Sequence, residues 1–339
     1  MPNFGAMIFP TDKTLGPIEL AKAVEERNLD SLFFPEHTHI PVARQTPFPG
    51  GGDLPEHYWR AHDPFVALTA AAAVTTRIKL GTGICLVIER DPITLAKECA
   101  SLDLISNGRL VLGIGAGWNR EEMENHGANY SKRWGVVREK ILAMKQIWTQ
   151  DEAEYHGEFV DFDPIWSWPK PAQAGGPPIW MGGSSKASAR RAAQHADVYV
   201  PSDSALYRYY HEQIDALDRP RPTEGLRQTL LWVAADPDSF WDALAPHALH
   251  ENNEYGKWYS DWDAWNSYET EVDADALRQT GRYRIVTPAE LVEMCRMMDP
   301  GRSVTLHPLV GGFDPDLAWE SLRLIEHERV VIEFEMLLR

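Results

Sequence analysis

Apolar and polar positions along this chain change period repeatedly, and the changes read as strands alternating with helices. Residues 3–10 and 31–37 are short apolar runs of strand length. Between them Leu20, Ala23 and Val24 recur at helical spacing across residues 16–28. Asp63-Pro64 and Asp91-Pro92 each place an acidic cap before a proline in the first turn of a helix. The first of these helices includes the run 70–74. The second has Leu95, Cys99 and Leu102 on one face and stops at Asn107-Gly108. Residues 78–86 and 109–117 read as the third and fourth strands, and Val137, Ile141, Met144 and Trp148 mark the next helix.

The second half is less regular. Residues 153–162 read as a hairpin around His156-Gly157, and a loop rich in Pro and Trp, 163–178, leads to a strand at 179–181. A helix over 187–196 and strands at 197–201 and 227–235 follow. Residues 237–276 read as an irregular insertion. Thr287-Pro288 opens a helix, 303–309 is a last strand, and 315–338 is a long closing helix. Roughly eight strands, each followed by a helix or loop, predict a parallel sheet with right-handed crossovers, best fitted by an α/β (β/α)8 TIM barrel. The expectation is one domain over 1–339, with insertions at the carboxyl-terminal face at about 38–62, 151–177 and 237–276.

Composition narrows the partners. A chain of 339 residues, 44% hydrophobic, supports a sizeable core. The net charge of −17 argues against nucleic acid, which is bound by neutralising phosphates, and against an anionic membrane surface. No apolar run reaches the ~18–20 residues of a membrane span. The start, MPNFGAMIFP, shows no basic segment ahead of an apolar one, so a cytoplasmic protein is expected. Cys85, Cys99 and Cys295 lack metal-type spacing and read as small buried thiols.

Ligands of such a barrel meet the carboxyl ends of the strands. The third and fourth strands end on Gly81-Thr82-Gly83 and Gly113-Ile114-Gly115-Ala116-Gly117. Glycine there lets a flat ligand or another backbone approach closely, so the pair predicts the floor of a cofactor pocket. Trp118 directly follows and suits a pocket wall. Gly182-Gly183-Ser184-Ser185 joins a strand to a helix start, which is either a phosphate site or an ordinary capped terminus, with Lys186, Arg190 and Arg191 close in sequence.

Glu36-His37-Thr38-His39 has three readings. His37 contacts a redox cofactor or moves a proton; or His37 and His39 form an H-x-H metal pair, completed by a group such as His307, in a zinc hydrolase; or the pair is structural. Glycoside chemistry needs two acids at strand ends, and only Glu36 is well placed. No G-x-S-x-G elbow is present, and the G-x-G-x-G at 113–117 lacks the spacing of a dinucleotide fingerprint. Residues 251–275 contain eight acids, one lysine and Trp258, Trp262 and Trp265, as a lid or a subunit contact would.

Taken together, 103–109 (DLISNGR), 113–118 (GIGAGW), 156–159 (HGEF) and 178–183 (PIWMGG) resemble the bacterial luciferase-like flavin and deazaflavin oxidoreductases. The likeness covers most of the chain. It implies a barrel with a planar ring at the carboxyl-terminal mouth and His37, beside Glu36, as the catalytic or ring-contacting residue. It also implies a non-proline cis peptide at Gly83-Ile84 forming a bulge behind the ring. Gly115, Gly117 and Trp118 then belong to the pocket, and Gly182, Gly183, Ser184 and Ser185 to the phosphate end, with no metal. The implied cofactor is the deazaflavin coenzyme F-420, passing a hydride to or from a small organic substrate. The alternative is FMN in a monooxygenase served by a separate reductase. A homodimer is implied by the resemblance alone. One departure is Trp118, which stands where some deazaflavin-dependent relatives have a proton-donating glutamate. This puts the sugar-phosphate dehydrogenase chemistry of those relatives in doubt.

Overall fold

The computed structural model describes residues 3–43, 45, 46, 54, 56–202, 205–222, 225–259, 273–298 and 302–337. Its strands are β1 (Asn3–Met7), β2 (Ser31–Phe34), β3 (Lys79–Thr82), β4 (Cys85–Leu86), β5 (Leu110–Gly115), β6 (Ala153–His156), β7 (Asp161–Ile165), β8 (Ile179–Gly183), β9 (Val198–Pro201), β10 (Gly225–Val233), β11 (Tyr283–Val286) and β12 (Arg302–Leu306). One parallel sheet runs in the order β11-β10-β12-β1-β2-β3-β5-β8-β9, with β4 also on β5. β6 and β7 form the separate antiparallel hairpin.

Side-chain contacts show that the sheet is curled. Phe33 of β2, Val111 of β5, Trp180 of β8 and Val198 of β9 are buried in one cluster. β2 and β8 are not sheet neighbours, yet the Phe33 and Trp180 rings lie 5.7 Å apart. These side chains line the concave face. Alternate residues such as Leu32, Phe34, Leu110 and Leu112 point outward into the main core shared with the helices. Gly81 is glycine because Phe33 fills the space its side chain would take: a Cβ there would meet Phe33 Cε1 at 2.3 Å. β9 and β10 approach within 8 Å, but no ladder joins them among the described residues.

The helices start where the sequence places caps. Asp63 accepts from the Phe65 and Val66 N–H groups, and Asp91 from that of Thr94. Three segments differ from expectation. The run 78–86 is interrupted into β3 and β4 by the cis peptide Gly83-Ile84. The sequence reading contains no strand at β11, four residues that extend the β10 edge. Most of 237–276 is not irregular: Pro237–Tyr259 is a helix, and Ala274–Gln279 another. Phe240, Trp241, Leu244, Ala245 and Ala248 recur at helical spacing and bury against Trp232 and Phe313, a period obscured in sequence by Pro246 and the acidic run. Trp262 and Trp265 lie outside the described residues, as do parts of the loop 38–62. All three cysteines are free and buried.

Candidate active site

Glu36 and His37 follow β2 directly and part company at once. Glu36 is 3% exposed and faces inward. It accepts from the Leu86 N–H at 2.6 Å and from Arg90 Nε at 2.6 Å. Arg90 also reaches Asp63 at 2.5 Å and Glu98 at 3.1 Å, and its guanidinium lies over the Phe65 ring. Glu36 above all raises the Arg90 pKa, against the opposing effect of burial. Arg90 therefore clamps the end of β2, the start of the helix Pro64–Val74 and the middle of the helix Pro92–Ile105 together. Both Glu36 oxygens are occupied by these internal bonds.

His37 turns to a different partner. Its Nδ1 lies 2.8 Å from Glu122 Oε2, and the two side chains are 7% and 0% exposed. Glu122 is on the short helix Arg120–Asn125, which begins five residues beyond Gly115, the end of β5. Asn119 caps that helix by accepting from the Glu122 N–H. The cap fixes the turn from which the Glu122 carboxylate reaches His37. Among the described residues His37 Nε2 has no hydrogen-bond partner.

An aromatic wall encloses the imidazole. Trp118 stands edge-on at 5.7 Å between ring centroids, and Tyr58 lies at 5.2 Å. Phe9 and His57 extend the wall behind Tyr58. Burial, helped by the neighbouring His37, brings the His57 pKa down to about 4, so this ring is neutral at pH 7. His307, at the end of β12, is likewise lowered to about 4 by burial.

The pocket floor lies at the β3–β5 ends. The Gly83-Ile84 peptide is cis, as the resemblance implies. A Cβ on Gly115 would meet Ile84 Cδ1 at 2.0 Å, so the absence of a side chain there is what lets Ile84 lie across β5. Gly117 has φ +77° and needs glycine for its backbone. Gly182 differs: a Cβ there would meet nothing nearer than 3.8 Å, and Ile84 Cγ2 borders the same space at 3.9 Å. The helix Lys186–His195 then starts with a capping box between Ser185 and Ser188. Ser188 Oγ also pairs with the Tyr199 hydroxyl at 2.9 Å. The Ser185 hydroxyl is thus engaged within the protein, whereas Ser184, half-buried, has no side-chain hydrogen bond among the described residues. Gly183 is packed against Ser188.

His37 and His39 do not converge. His39 Nδ1 pairs with Thr38 Oγ1 at 3.0 Å, and its Nε2 pairs with Asn125 Nδ2 at 2.9 Å. Among the described residues no three His, Cys, Asp or Glu side chains lie together as metal ligands. A cavity bordered by Asn3, Arg77, Lys79 and Trp180 lies at the opposite, amino-terminal end of the strands, away from His37.

Sequence reasoning did not find Glu122, Tyr58, His57, Phe9 or Glu89. Glu122 has a sequence signal, a polar cap three residues ahead of an acid, but that pattern ordinarily marks only a helix start. Tyr58 and His57 sit in the long loop, where no periodicity indicates orientation.

Comparison with known proteins follows this geometry. The profile of the family described as luciferase-like monooxygenase matches residues 16–293. The uncharacterized protein Rv0953c of Mycobacterium tuberculosis is 43% identical over 259 residues, covering 76% of this chain and 87% of that protein. The FMNH(2)-dependent dimethylsulfone monooxygenase of Pseudomonas putida is 31% identical over 148 residues, 43% of this chain and 40% of that one. An F-420-dependent secondary alcohol dehydrogenase, solved with an F-420–acetone adduct, superposes with a TM-score of 0.69 at 16% identity, over 96% of this chain and 98% of that one. The last likeness shows the fold. No described helix is long and apolar enough to cross a membrane.

Proposed function

This chain belongs to the luciferase-like monooxygenase family, and we propose on that premise that it is an oxidoreductase transferring a hydride between coenzyme F-420 and a small organic substrate at the carboxyl ends of the curled sheet. The observation that supports this reading best is the His37–Glu122 pair, buried and enclosed by Trp118 and Tyr58 at the end of β2. A general base needs a lone pair held toward the reacting group by an oriented ring, and Glu122 supplies that orientation.

The residues fit a planar ring with a phosphate tail. Gly182 is not crowded, since a Cβ there would make only ordinary contacts, with Ile84 Cγ2 at 3.9 Å. Among the described residues nothing bonds the Ser184 hydroxyl, and the helix start behind it favours an anion. In this reading Gly83, Ile84, Gly115, Gly117 and Trp118 border the ring. Gly182, Gly183, Ser184 and the Ser185 backbone hold the tail. The ring, when bound, supplies a two-electron hydride site. The chain's own part is to exclude water with Phe9, Tyr58 and Trp118, and to take up or return the substrate proton at His37 Nε2. Glu36 acts at one remove, by fixing the backbone at Leu86.

The second reading is an FMN-dependent monooxygenase with a separate reductase, supported by the likeness to an FMNH(2)-dependent enzyme. Titrating cofactor-free protein with FMN and with F-420, followed by fluorescence, separates the two. Preferential F-420 binding without oxygen uptake supports the hydride reading. Tight FMN binding with oxygen consumption on adding reduced FMN replaces it with the second, and failure of both ligands to bind removes both.

A further inference from the structure

Behind the His37–Glu122 pair lies a second buried acid that the function above does not use. Glu89 ends the turn Val87–Glu89, immediately after β4. Its side chain is 1% exposed, and neither carboxyl oxygen has a hydrogen-bond partner among the described residues. Glu122 Oε1 is also buried and without a partner. A buried oxygen with no donor loses the solvation of water and gains nothing in return. Glu89 sits 3.7 Å from His126, which is one helical turn beyond Glu122, so three such oxygens lie on two acids at the same short helix, and a shared proton would supply the missing donor.

The charges around Glu89 point the same way. Glu122, from the helix Arg120–Asn125, and Glu36, from the end of β2, both oppose its ionisation. Arg90 and Lys140 favour ionisation, but each is committed elsewhere. Arg90 is bonded to Glu36, Asp63 and Glu98. Lys140, from the helix Arg133–Thr149, bonds the carbonyls of Val87, Ile88 and Arg90. The remaining neighbour, His126, places Nε2 3.7 Å from Glu89 Oε2, beyond hydrogen-bond distance, and pairs with Thr38 Oγ1 at 2.8 Å instead. Burial and the nearby His39 hold His126 below the ordinary imidazole range, so it brings no full charge to Glu89 at pH 7. Burial, with Glu122 and Glu36, raises the Glu89 pKa to about 9.

We propose that Glu89 is a positioning residue for His37: it shares one proton with Glu122, donating to Glu122 Oε1 directly or through one water. The pair then behaves as two acids at one site that cannot both ionise. Glu122 stays charged, accepts the Nδ1–H of His37 on one oxygen and the Glu89 O–H on the other, and leaves His37 Nε2 as the proton acceptor. When Nε2 takes a proton, the imidazolium keeps its Nδ1–H on Glu122 and the Glu89 proton stays in place. The inference deepens the function proposed above and rests on it only for the direction in which Nε2 faces.

The test uses the full chain without cofactor. Infrared spectra at pH 7 should show the carbonyl stretch of a protonated buried carboxylic acid, lost in Glu89→Gln. In NMR titrations the His37 ring signals should report an alkaline inflection near pH 9 in the wild type, absent in Glu89→Gln. If the wild-type protein lacks either the protonated-acid band or the alkaline inflection, or if either survives Glu89→Gln, the proposal is overturned. Should Glu89→Gln fail to fold, the wild-type spectra alone decide, band and inflection together supporting the proposal and the lack of either refuting it. Because no cofactor is present, failure of FMN or F-420 to bind bears on the functional reading and not on this pair.

Discussion

Glu122 Oε2 stands 2.8 Å from His37 Nδ1 although 85 residues separate them in sequence. Each side chain buries the polar group of the other, so neither is replaceable alone without exposing the cost of the second. His37→Ala leaves the Glu122 carboxylate without its donor and should cost about 1–3 kcal/mol of stability. His37→Asn can still offer an N–H toward Glu122 but presents no base at the mouth. It should melt within a few degrees of the wild type while losing turnover about 100-fold or more, the usual worth of a general base. Thermal melts and steady-state rates on both variants check this. Equal loss of stability and turnover in His37→Asn would show that the imidazole is structural.

The Arg90 clamp makes a separate prediction. Arg90→Met would leave the nearly inaccessible Glu36 carboxylate facing Leu86 N–H alone and strip Asp63 and Glu98 of their partner. Breaking a buried ion pair from one side costs about 3–5 kcal/mol, and urea unfolding should show a loss of that order. Arg90→Lys should rescue little of it, since one ammonium cannot span three carboxylates as a planar guanidinium does. A fully stable Arg90→Lys would refute the clamp.

Two glycines that look alike in sequence should behave differently. Gly115→Ala drives a methyl to within 2.0 Å of Ile84 Cδ1. It should destabilise the fold by about 1–3 kcal/mol, as overpacked sites do. Gly182→Ala meets nothing nearer than 3.8 Å and should leave the melting temperature unchanged. It should weaken binding of whichever ring compound the protein takes, measured by fluorescence titration. If binding is unaffected by Gly182→Ala, the phosphate tail of the cofactor does not lie against Gly182 of β8.

What was legible in the sequence divides along physical lines. The strands and capped helices of the first half were readable because local chemistry fixes them: Asp63 and Asp91 cap whatever follows, and β2 and β5 are apolar enough to be strands in any context. The glycines at the strand ends announced close approach, but not of what. Gly81 and Gly115 admit Phe33 and Ile84 from the protein itself, whereas a Cβ on Gly182 would make only ordinary contacts. His37 was legible as a candidate, and its partner was not. Glu122 becomes a partner only when the ends of β2 and β5 are brought together by the sheet, a long-range fact with no local trace. The helix Pro237–Tyr259 was missed because a proline and an acidic, tryptophan-rich stretch mask an apolar stripe that is regular at Phe240, Leu244 and Ala248.

The response of stability to pH should report Glu89 and His57 separately. Glu89 has its folded pKa raised to about 9 from an ordinary 4.5, so between those values the folded state binds more protons than the unfolded chain. Its contribution to stability is complete below the unfolded value and is lost as pH rises toward 9. His57 is the opposite case, lowered to about 4 from 6.5. Between 4 and 6.5 the unfolded chain binds the extra proton, so stability falls as the solution is acidified through that window. Glu89→Gln should therefore flatten the decline between pH 5 and 9 by about one proton in slope, leaving the acid limb intact. His57→Phe preserves a ring against Phe9 and Tyr58 and should remove about one proton from the acid limb, leaving the alkaline decline intact. Urea unfolding free energies measured across pH 4 to 9 for the three proteins check both. An unchanged alkaline decline in Glu89→Gln would mean that another group holds the proton, Glu98 being the other carboxyl raised by burial among the described residues.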